Sequence, residues 1–379
     1  MTDRLKVLTV VGTRPEIIRL APTIKRLDEY TDHILVHTGQ NYDYELNEIF
    51  FEDLGLRKPD HFLEADTSSL GAVLGSILMK TEAVLLKEKP DAMMVLGDTN
   101  SSISALIARR MKIPVYHMEA GNRCFDENVP EETNRRMVDH ISDYNLVYTE
   151  HARRNLLAEG IHPSRILLTG SPMREVLANY SSAIQGSNVL LREGLSEGEY
   201  FLVSLHREET VDDSGRLASV LQSLNALAID YGLPVLVSTH PRTRKKLASQ
   251  PDALKQDLRF HSPFGFHDYV KLQQSARLVL SDSGTISEES SILGFPAVTL
   301  RDAIERPEAL DAGVIVTCGV TTKSISAAVA LTLQQFADAG SPAAPTDYDV
   351  TDTSRRVVNF LYSTVPNHFS RAGLRIANA

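Results

Sequence analysis

The chain has 379 residues, 42% of them hydrophobic and 23% charged, with a formal net charge of −10 and a pI near 5.7. That length exceeds the roughly 250–300 residues at which single cores split, so two domains are expected. The acidic balance, without a long basic run, argues against nucleic acid or an anionic membrane as partner, so any bound phosphate must be met by a few placed cations.

The opening stretch MTDRLKVLTVVGTRPE lacks an apolar run followed by a small-residue cleavage site, so no signal peptide is expected. No apolar stretch approaches the ~18–20 residues of a membrane span. Cys124 and Cys318 are too few for a disulfide framework or a zinc site. A cytoplasmic location is the expectation.

Apolar runs of strand length alternate with helical periodicity along the chain. Leu5–Val11, His33–Thr38, Ala92–Gly97, Pro114–Met118, Tyr144–Thr149 and Arg165–Gly170 read as buried parallel strands, separated by helical segments such as SSISALIARRM. The rhythm breaks near Ser181–Ser196, which reads as the link between domains 1–180 and 181–351. It then restarts with Phe201–Leu205, Pro234–His240, Leu258–Ser262, Arg277–Ser283, Pro296–Leu300 and Val314–Thr317, and a last helix is expected near Asp352–Thr364. The fold class is α/β, two doubly wound sheets facing a central cleft, with the residues just after each strand at the ligand.

The first strand ends in Gly12-Thr13-Arg14-Pro15, which places Arg14 at the cleft mouth and Arg19 about a turn further along. A plain helix start with surface arginines is an equal reading. No GxGxxG stands here or later, so nothing supports a dinucleotide cofactor. The next cleft-side strands deliver Asp98 and Glu119. Asp98 can be explained as the cap of a helix starting near Ser101, whereas Glu119 precedes Ala-Gly and has no helix to cap. Two carboxylates in a partly desolvated cleft would push apart in pKa, which acid/base chemistry can exploit. In Pro130-Glu131-Glu132-Thr133-Asn134-Arg135-Arg136, only one glutamate can face the cleft, and the i,i+4 spacing to Arg135 and Arg136 favours a solvated salt-bridged face.

In the second half, strands end at His206-Arg207 and at His240-Pro241-Arg242. A third leads into Ser283-Gly284-Thr285 at a helix start, where free N–H groups and the positive dipole end suit a phosphate. Glu289 lies four residues after Thr285 on the same helix face, placed for ribose hydroxyls. Arg301 and Arg306 follow the next strand and would add cations to the rim.

The motifs VVGTRPEIIRLAP, HTGQNYDYE, LGDTNS, HMEAGNRCFDENVPEETNR, LTGSPM, LHREE, HPR, SDSGTISEE and RDAIERPEALDAG, in this order, resemble the non-hydrolysing UDP-N-acetylglucosamine 2-epimerase family over nearly the whole chain. The resemblance implies two Rossmann-like domains of the glycosyltransferase-B type, with the segment 352–379 packing back on the first domain. It implies UDP held by the second domain with the sugar and acid/base side on the first, a UDP-N-acetyl sugar as substrate, no metal or nicotinamide cofactor, and a homodimer. Carried over by motif, Asp98, Glu119 and Glu131 become acid/base carboxylates, against the salt-bridge reading of Glu131. Arg14, Arg135 and His206 become sugar- and diphosphate-contacting catalytic residues, with Arg19 in place of the usual Lys of the first motif. Ser283, Gly284, Thr285, Glu289 and Arg306 become the UDP site and Tyr269 the aromatic near uridine, while Gln40 and His240 match part of a second UDP-sugar site. Arg19, Thr285 in place of a second Gly, and GNRCFDENVP look more like the capsule and O-antigen branch. Members of that branch form UDP-N-acetyl-L-fucosamine from UDP-2-acetamido-2,6-dideoxy-L-talose.

The chemistry expected is elimination and re-addition. C2–H of an acetamido sugar has no neighbouring ring carbonyl to stabilise a carbanion. Loss of UDP from C1 while C2–H is removed avoids one, with carboxylates moving the protons and cations stabilising UDP. The alternatives are a UDP-N-acetylglucosamine epimerase forming UDP-N-acetylmannosamine, a UDP-sugar glycosyltransferase of the same architecture, and a non-catalytic UDP-sugar sensor.

Overall fold

In the computed structural model, residues 4–40, 50–239, 241–248, 250–251 and 258–373 are described. The chain divides into two compact units. One is formed by Met1–Asn179 with Asp347–Ala379, the other by Tyr180–Thr346.

The first unit holds a seven-stranded, all-parallel sheet: β1 (Lys6–Val11), β2 (Asp32–His37), β3 (His61–Phe62), β4 (Ala92–Leu96), β5 (Val115–Met118), β6 (Tyr144–Val147) and β7 (Ile166–Leu168). Their order is β3-β2-β1-β4-β5-β6-β7. Val7, Leu8, Val10 and Val11 are fully buried, as are Ala92 through Val95, because helices cover both faces of a parallel sheet. Strand β3 has no apolar run behind it; its two residues pair with Val36 and His37 of β2.

The second unit repeats the plan with β8 (Phe201–Leu205), β9 (Val235–Thr239), β10 (Leu258–His261), β11 (Leu278–Ser281), β12 (Ala297–Thr299) and β13 (Val316–Thr317), in the order β10-β9-β8-β11-β12-β13. In each sheet the order reverses beside the first strand, between β1 and β4 and between β8 and β11. Such switch points leave a crevice at the strand C-terminal ends, where α/β proteins bind ligands. The register brings the relevant ends level: Leu96 pairs with Met118, and Ser204 with Ser281.

The stretch read as a link is itself ordered. Helices Ser181–Gly186 and Val189–Glu193 bury Ile184 and Val189, and Ser187 and Arg192 both bond Asp268 of the helix Phe266–Ser275. The helix Thr353–Thr364 lies on the first unit. Its Ser354 N–H donates to Glu175 Oε2 at 2.9 Å and its Ser354 Oγ accepts from Arg26 Nε at 2.9 Å. Gly170 (φ +79) admits the returning chain, since a Cβ there would stand 2.3 Å from Val350 Cγ2. Among the described residues no helix is long and apolar enough to cross a membrane.

Candidate active site

In the first unit, β1 runs into Gly12-Thr13 and the helix Arg14–Tyr30. Thr13 is the N-cap and Glu16 completes a capping box. Glu16 Oε2 accepts the Gly12 N–H at 2.8 Å, the Thr13 N–H at 2.7 Å and the Thr13 hydroxyl at 2.9 Å. Its Oε1 accepts the Thr99 hydroxyl at 2.8 Å, so one carboxyl fastens the loop after β1 to the loop after β4. Burial pushes Glu16 up to about 7, against the opposing pull of those hydrogen bonds. Gly12 has no room for a side chain: a Cβ would lie 2.0 Å from Ser101 Oγ and 2.1 Å from Thr38 Oγ1. Gln40 borders the same spot, its Nε2 at 3.0 Å. Half-buried Arg14 sets its guanidinium 5.5 Å from the Phe50 ring centre.

The cap of the short helix Asn100–Ser104 is Thr99, whose hydroxyl accepts the Ser101 N–H. That replaces the capping role considered for Asp98. The Asp98 carboxylate instead receives Arg135, through Nε at 3.0 Å and Nη2 at 2.5 Å, while Arg135 Nη1 bonds Glu132 Oε2 at 2.8 Å.

Glu119 follows β5 in a left-handed backbone conformation, φ +65. For a non-glycine residue this costs on the order of 1–2 kcal/mol, and such strain clusters at functional sites. Its Oε2 stands 2.6 Å from Arg19 Nη1, and Asn122 Nδ2 donates to Oε1 at 3.3 Å. A Cβ at Gly97 would be 3.7 Å from Oε2, so the Glu119 carboxylate lies against the backbone just before Asp98. Each of the two carboxylates thus has a buried arginine of its own.

Of the neighbouring glutamates, Glu132 is the buried one, paired with Arg135 and Arg136. Burial raises its pKa, but the Cys124 N–H and thiol and the two arginines outweigh it and hold the carboxyl low. The salt-bridged face therefore belongs to Glu132, and Glu131 sits half-buried in the first helical turn.

In the second unit, His206 and Asp282 end neighbouring strands. His206 Nδ1 lies 2.8 Å from Asp282 Oδ1, and the N–H groups of His206 and Arg207 donate to the Asp282 carboxylate at 3.0 Å each. Burial raises the Asp282 pKa, yet His206 and these N–H groups leave it below the usual carboxylate range. The His206 side chain is 45% exposed, which leaves its far edge accessible to a ligand.

Ser283-Gly284-Thr285 precedes the helix Ile286–Leu293. Ser283 Oγ bonds Thr285 Oγ1 at 2.9 Å and accepts the Thr285 N–H. Two cations flank the turn. Arg306 Nε donates to the Gly284 carbonyl at 3.0 Å, and Arg207 Nη2 lies 3.7 Å from where a Gly284 Cβ would be. Arg301, expected on the rim, gives both Nη groups to Glu305. Glu289 is buried with one oxygen 2.6 Å from Gln273 Nε2. Tyr269 is placed beside it: burial pushes the phenol up, Glu289 and Asp282 add to that, and Ser204 hydrogen-bonds it.

The structure thus gathers Arg14, Arg19, Asp98, Glu119 and Arg135 at the ends of β1, β4 and β5, with Glu131 opening the helix that carries Arg135. It gathers His206, Tyr269, Ser283, Gly284, Thr285, Glu289 and Arg306 at the ends of β8 and β11. His240 lies outside the described residues. Sequence reading passed over Glu16, Asn122 and Asp282. The Thr13-x-x-Glu16 spacing is a capping-box signal that could have found the first of them. Among the described residues no cluster of His, Cys, Asp and Glu is arranged to hold a metal ion.

One unit presents arginine-paired carboxylates and the other a Ser-Gly-Thr turn flanked by arginines, both at switch points. Two such doubly wound units define an α/β enzyme of the glycosyltransferase-B architecture. The model of the UDP-N-acetylglucosamine 2-epimerase family matches residues 25–362. The solved structure of UDP-N-acetylglucosamine 2-epimerase from Rickettsia bellii is 45% identical with a TM-score of 0.91, over 97% of this chain and 98% of that one. The Methanocaldococcus jannaschii UDP-GlcNAc 2-epimerase, solved in complex with UDP-GlcNAc and UDP, is 36% identical with a TM-score of 0.89, over 95% and 100%. A Pseudomonas aeruginosa UDP-2,3-diacetamido-2,3-dideoxy-D-glucuronate 2-epimerase is 37% identical over 320 residues, 83% of this chain and 87% of that protein. The chain belongs to the UDP-N-acetylglucosamine 2-epimerase family and is an isomerase.

Proposed function

We propose that this isomerase inverts C2 of a UDP-2-acetamido sugar by eliminating UDP and adding it back. The observation that carries the reading is the pair Asp98 and Glu119 at adjacent strand ends, each bonded to its own buried arginine. In the first step a carboxylate takes the C2 proton, the C1–O bond electrons leave with UDP, and a C1=C2 double bond forms. In the second, UDP returns to C1 while a carboxylic acid delivers a proton to the opposite face of C2. Asp98, Glu119 and Glu131 are the candidate proton carriers. Arg14, Arg19, Arg135 and His206 contact sugar and diphosphate, and the Ser283–Thr285 turn with Arg306 stabilises departing UDP. Glu289 serves the ribose, Tyr269 the uridine, and Gln40 and His240 belong to a second UDP-sugar site.

The relatives' names vary in the sugar but share UDP and a 2-acetamido group. Within that class we propose UDP-2-acetamido-2,6-dideoxy-L-talose as substrate and UDP-N-acetyl-L-fucosamine as product, for capsule or O-antigen synthesis. Arg19, Thr285 and the segment GNRCFDENVP support this sugar. UDP-N-acetylglucosamine is the second reading, supported by the names of the Rickettsia and Methanocaldococcus proteins. NMR of products from both UDP-sugars decides: a C2 isomer of one alone assigns the sugar. Unchanged or hydrolysed sugar from both would point to a transferase. Asp98→Asn and Glu119→Gln are each expected to lower epimer formation by about 10²–10⁴-fold, whereas a sensor has no turnover to lose.

We further infer a homodimer. The helix Leu70–Glu88 leaves Met79 and Leu86 67% and 61% exposed, an apolar stripe suited to a second copy.

A further inference from the structure

Behind the strand ends that carry Asp98 and Glu119 lies a set of charged side chains closed off from solvent. His117 stands on β5, two residues before Glu119, and the side chains of His117, Arg123 and Asp139 are all fully buried. His117 Nε2 lies 2.8 Å from the Gly97 carbonyl oxygen, which only accepts, so Nε2 carries a proton and donates. On its other side Nδ1 lies 2.9 Å from Asp139 Oδ1. The Asp139 carboxylate also accepts the Gly121 N–H, at 3.2 and 3.1 Å, and Arg123 Nη1 at 2.7 Å. Arg123 donates to the Asn122 carbonyl at 2.7 Å and is clamped by Glu159 at 2.8 and 2.7 Å. Asn122 in turn reaches Glu119 with its side chain.

Three arms of this cluster end on backbone beside a carboxylate of the site: Gly97 next to Asp98, and Gly121 and Asn122 just after Glu119. Stability gives little reason to keep it, because a buried ion-pair set is commonly no more stabilising than apolar residues of the same volume. Geometry gives a strong one. A displacement of about 1 Å in a reacting group can cost on the order of 10²-fold in rate. Glu119 must also be held in a left-handed conformation it would otherwise leave.

We propose that His117 and Asp139 are positioning residues for the reaction: acting through backbone, they lock the loop after β4 to the loop after β5 and so fix Asp98 and Glu119 relative to each other. The proposal rests on the reading of those two carboxylates as the proton carriers. The test compares His117→Ala, His117→Gln and Asp139→Asn, measuring folding by circular dichroism, kcat and KM for the UDP-sugar, UDP affinity, and free UDP released per epimer formed. His117→Ala and Asp139→Asn are expected to lower kcat by about 10–100-fold with KM and UDP affinity kept within about threefold. Free UDP per epimer rises, because a mismatched pair performs elimination better than return. His117→Gln, whose amide still donates to Gly97, recovers most of the loss.

Unchanged kcat in folded His117→Ala overturns the proposal. So does a kcat loss matched by an equal loss of UDP affinity, or one that His117→Gln does not relieve. Should His117→Ala not fold, Asp139→Asn decides: reduced kcat with KM and UDP affinity kept supports the proposal, and unchanged kcat overturns it. Full turnover in Asp98→Asn and Glu119→Gln would instead sink the underlying proton-carrier reading.

Discussion

Arg19 Nη1 stands 2.6 Å from Glu119 Oε2, with the arginine side chain 4% and the glutamate 17% exposed, and the guanidinium 5.8 Å from the Tyr148 ring centre. The buried arginine's charge is therefore compensated by a carboxylate that itself sits in a strained backbone conformation. Removing one partner of such a pair leaves a buried charge uncompensated. Arg19→Met should destabilise the first unit by about 3 kcal/mol, read as a lower melting temperature, and reduce turnover. Arg19→Lys keeps the charge but loses the planar fork, so it should fold with little change in melting temperature and turn over about tenfold more slowly. Equal stability of Arg19→Met and the parent chain would mean that the pair is not a buried ion pair in solution.

Glu16 sets a pH dependence of stability. Burial disfavours its charged form and pushes its pKa up to about 7, from the 4.5 of an ordinary glutamate. Between those values the folded chain holds a proton that the unfolded chain does not, so stability falls as pH rises from about 4.5 to about 7 and levels off above. The span corresponds to at most roughly 3 kcal/mol. Glu16→Gln can keep the acceptor for Gly12 and Thr13 while donating to Thr99, and should flatten the curve over that window. Denaturant midpoints of both proteins between pH 4.5 and 8 check this, and parallel curves would contradict it.

Asp282 orients His206 and pins the N–H groups of His206 and Arg207. Asp282→Asn should keep much of the N–H pinning but lose the charge that fixes the ring, lowering kcat by about 10–100-fold. Its held-down carboxyl contributes stability above about pH 4 that fades as pH falls through the folded value, and the variant should lose that acid sensitivity. Unaltered kcat would remove His206 from the chemistry.

A charge on the Leu70–Glu88 helix should prevent self-association. Met79→Glu combined with Leu86→Glu is expected to halve the mass seen by light scattering, while leaving the circular dichroism unchanged. A parent chain that is already monomeric at micromolar concentration would rule out the dimer.

Much of the fold was legible because buried parallel strands announce themselves: AMMVL is an uninterrupted apolar run, FLVSL is broken only by Ser204, and both lead to a candidate site loop. Strand β3 was not, since His61 and Phe62 form a strand only through their pairing with β2. Candidate site residues at strand ends, such as Asp98, Glu119 and His206, could be picked out by position alone. Asp282 was passed over because its importance comes from a partner 76 residues away. His117, Arg123 and Asp139 were hidden for a related reason: charged residues read as surface, and only their mutual contacts explain their burial. Glu131 and Glu132 show the limit of helical spacing, which says that one glutamate turns inward but not which.

Proton exchange at C2 is the step on which the proposed chemistry depends. Turnover in deuterium oxide with a protonated UDP-sugar, followed by NMR of the epimer, tests it directly. One deuterium at C2 of the product, and none at the other ring carbons, is the expected result. A C2 isomer formed with its original hydrogen intact would contradict it.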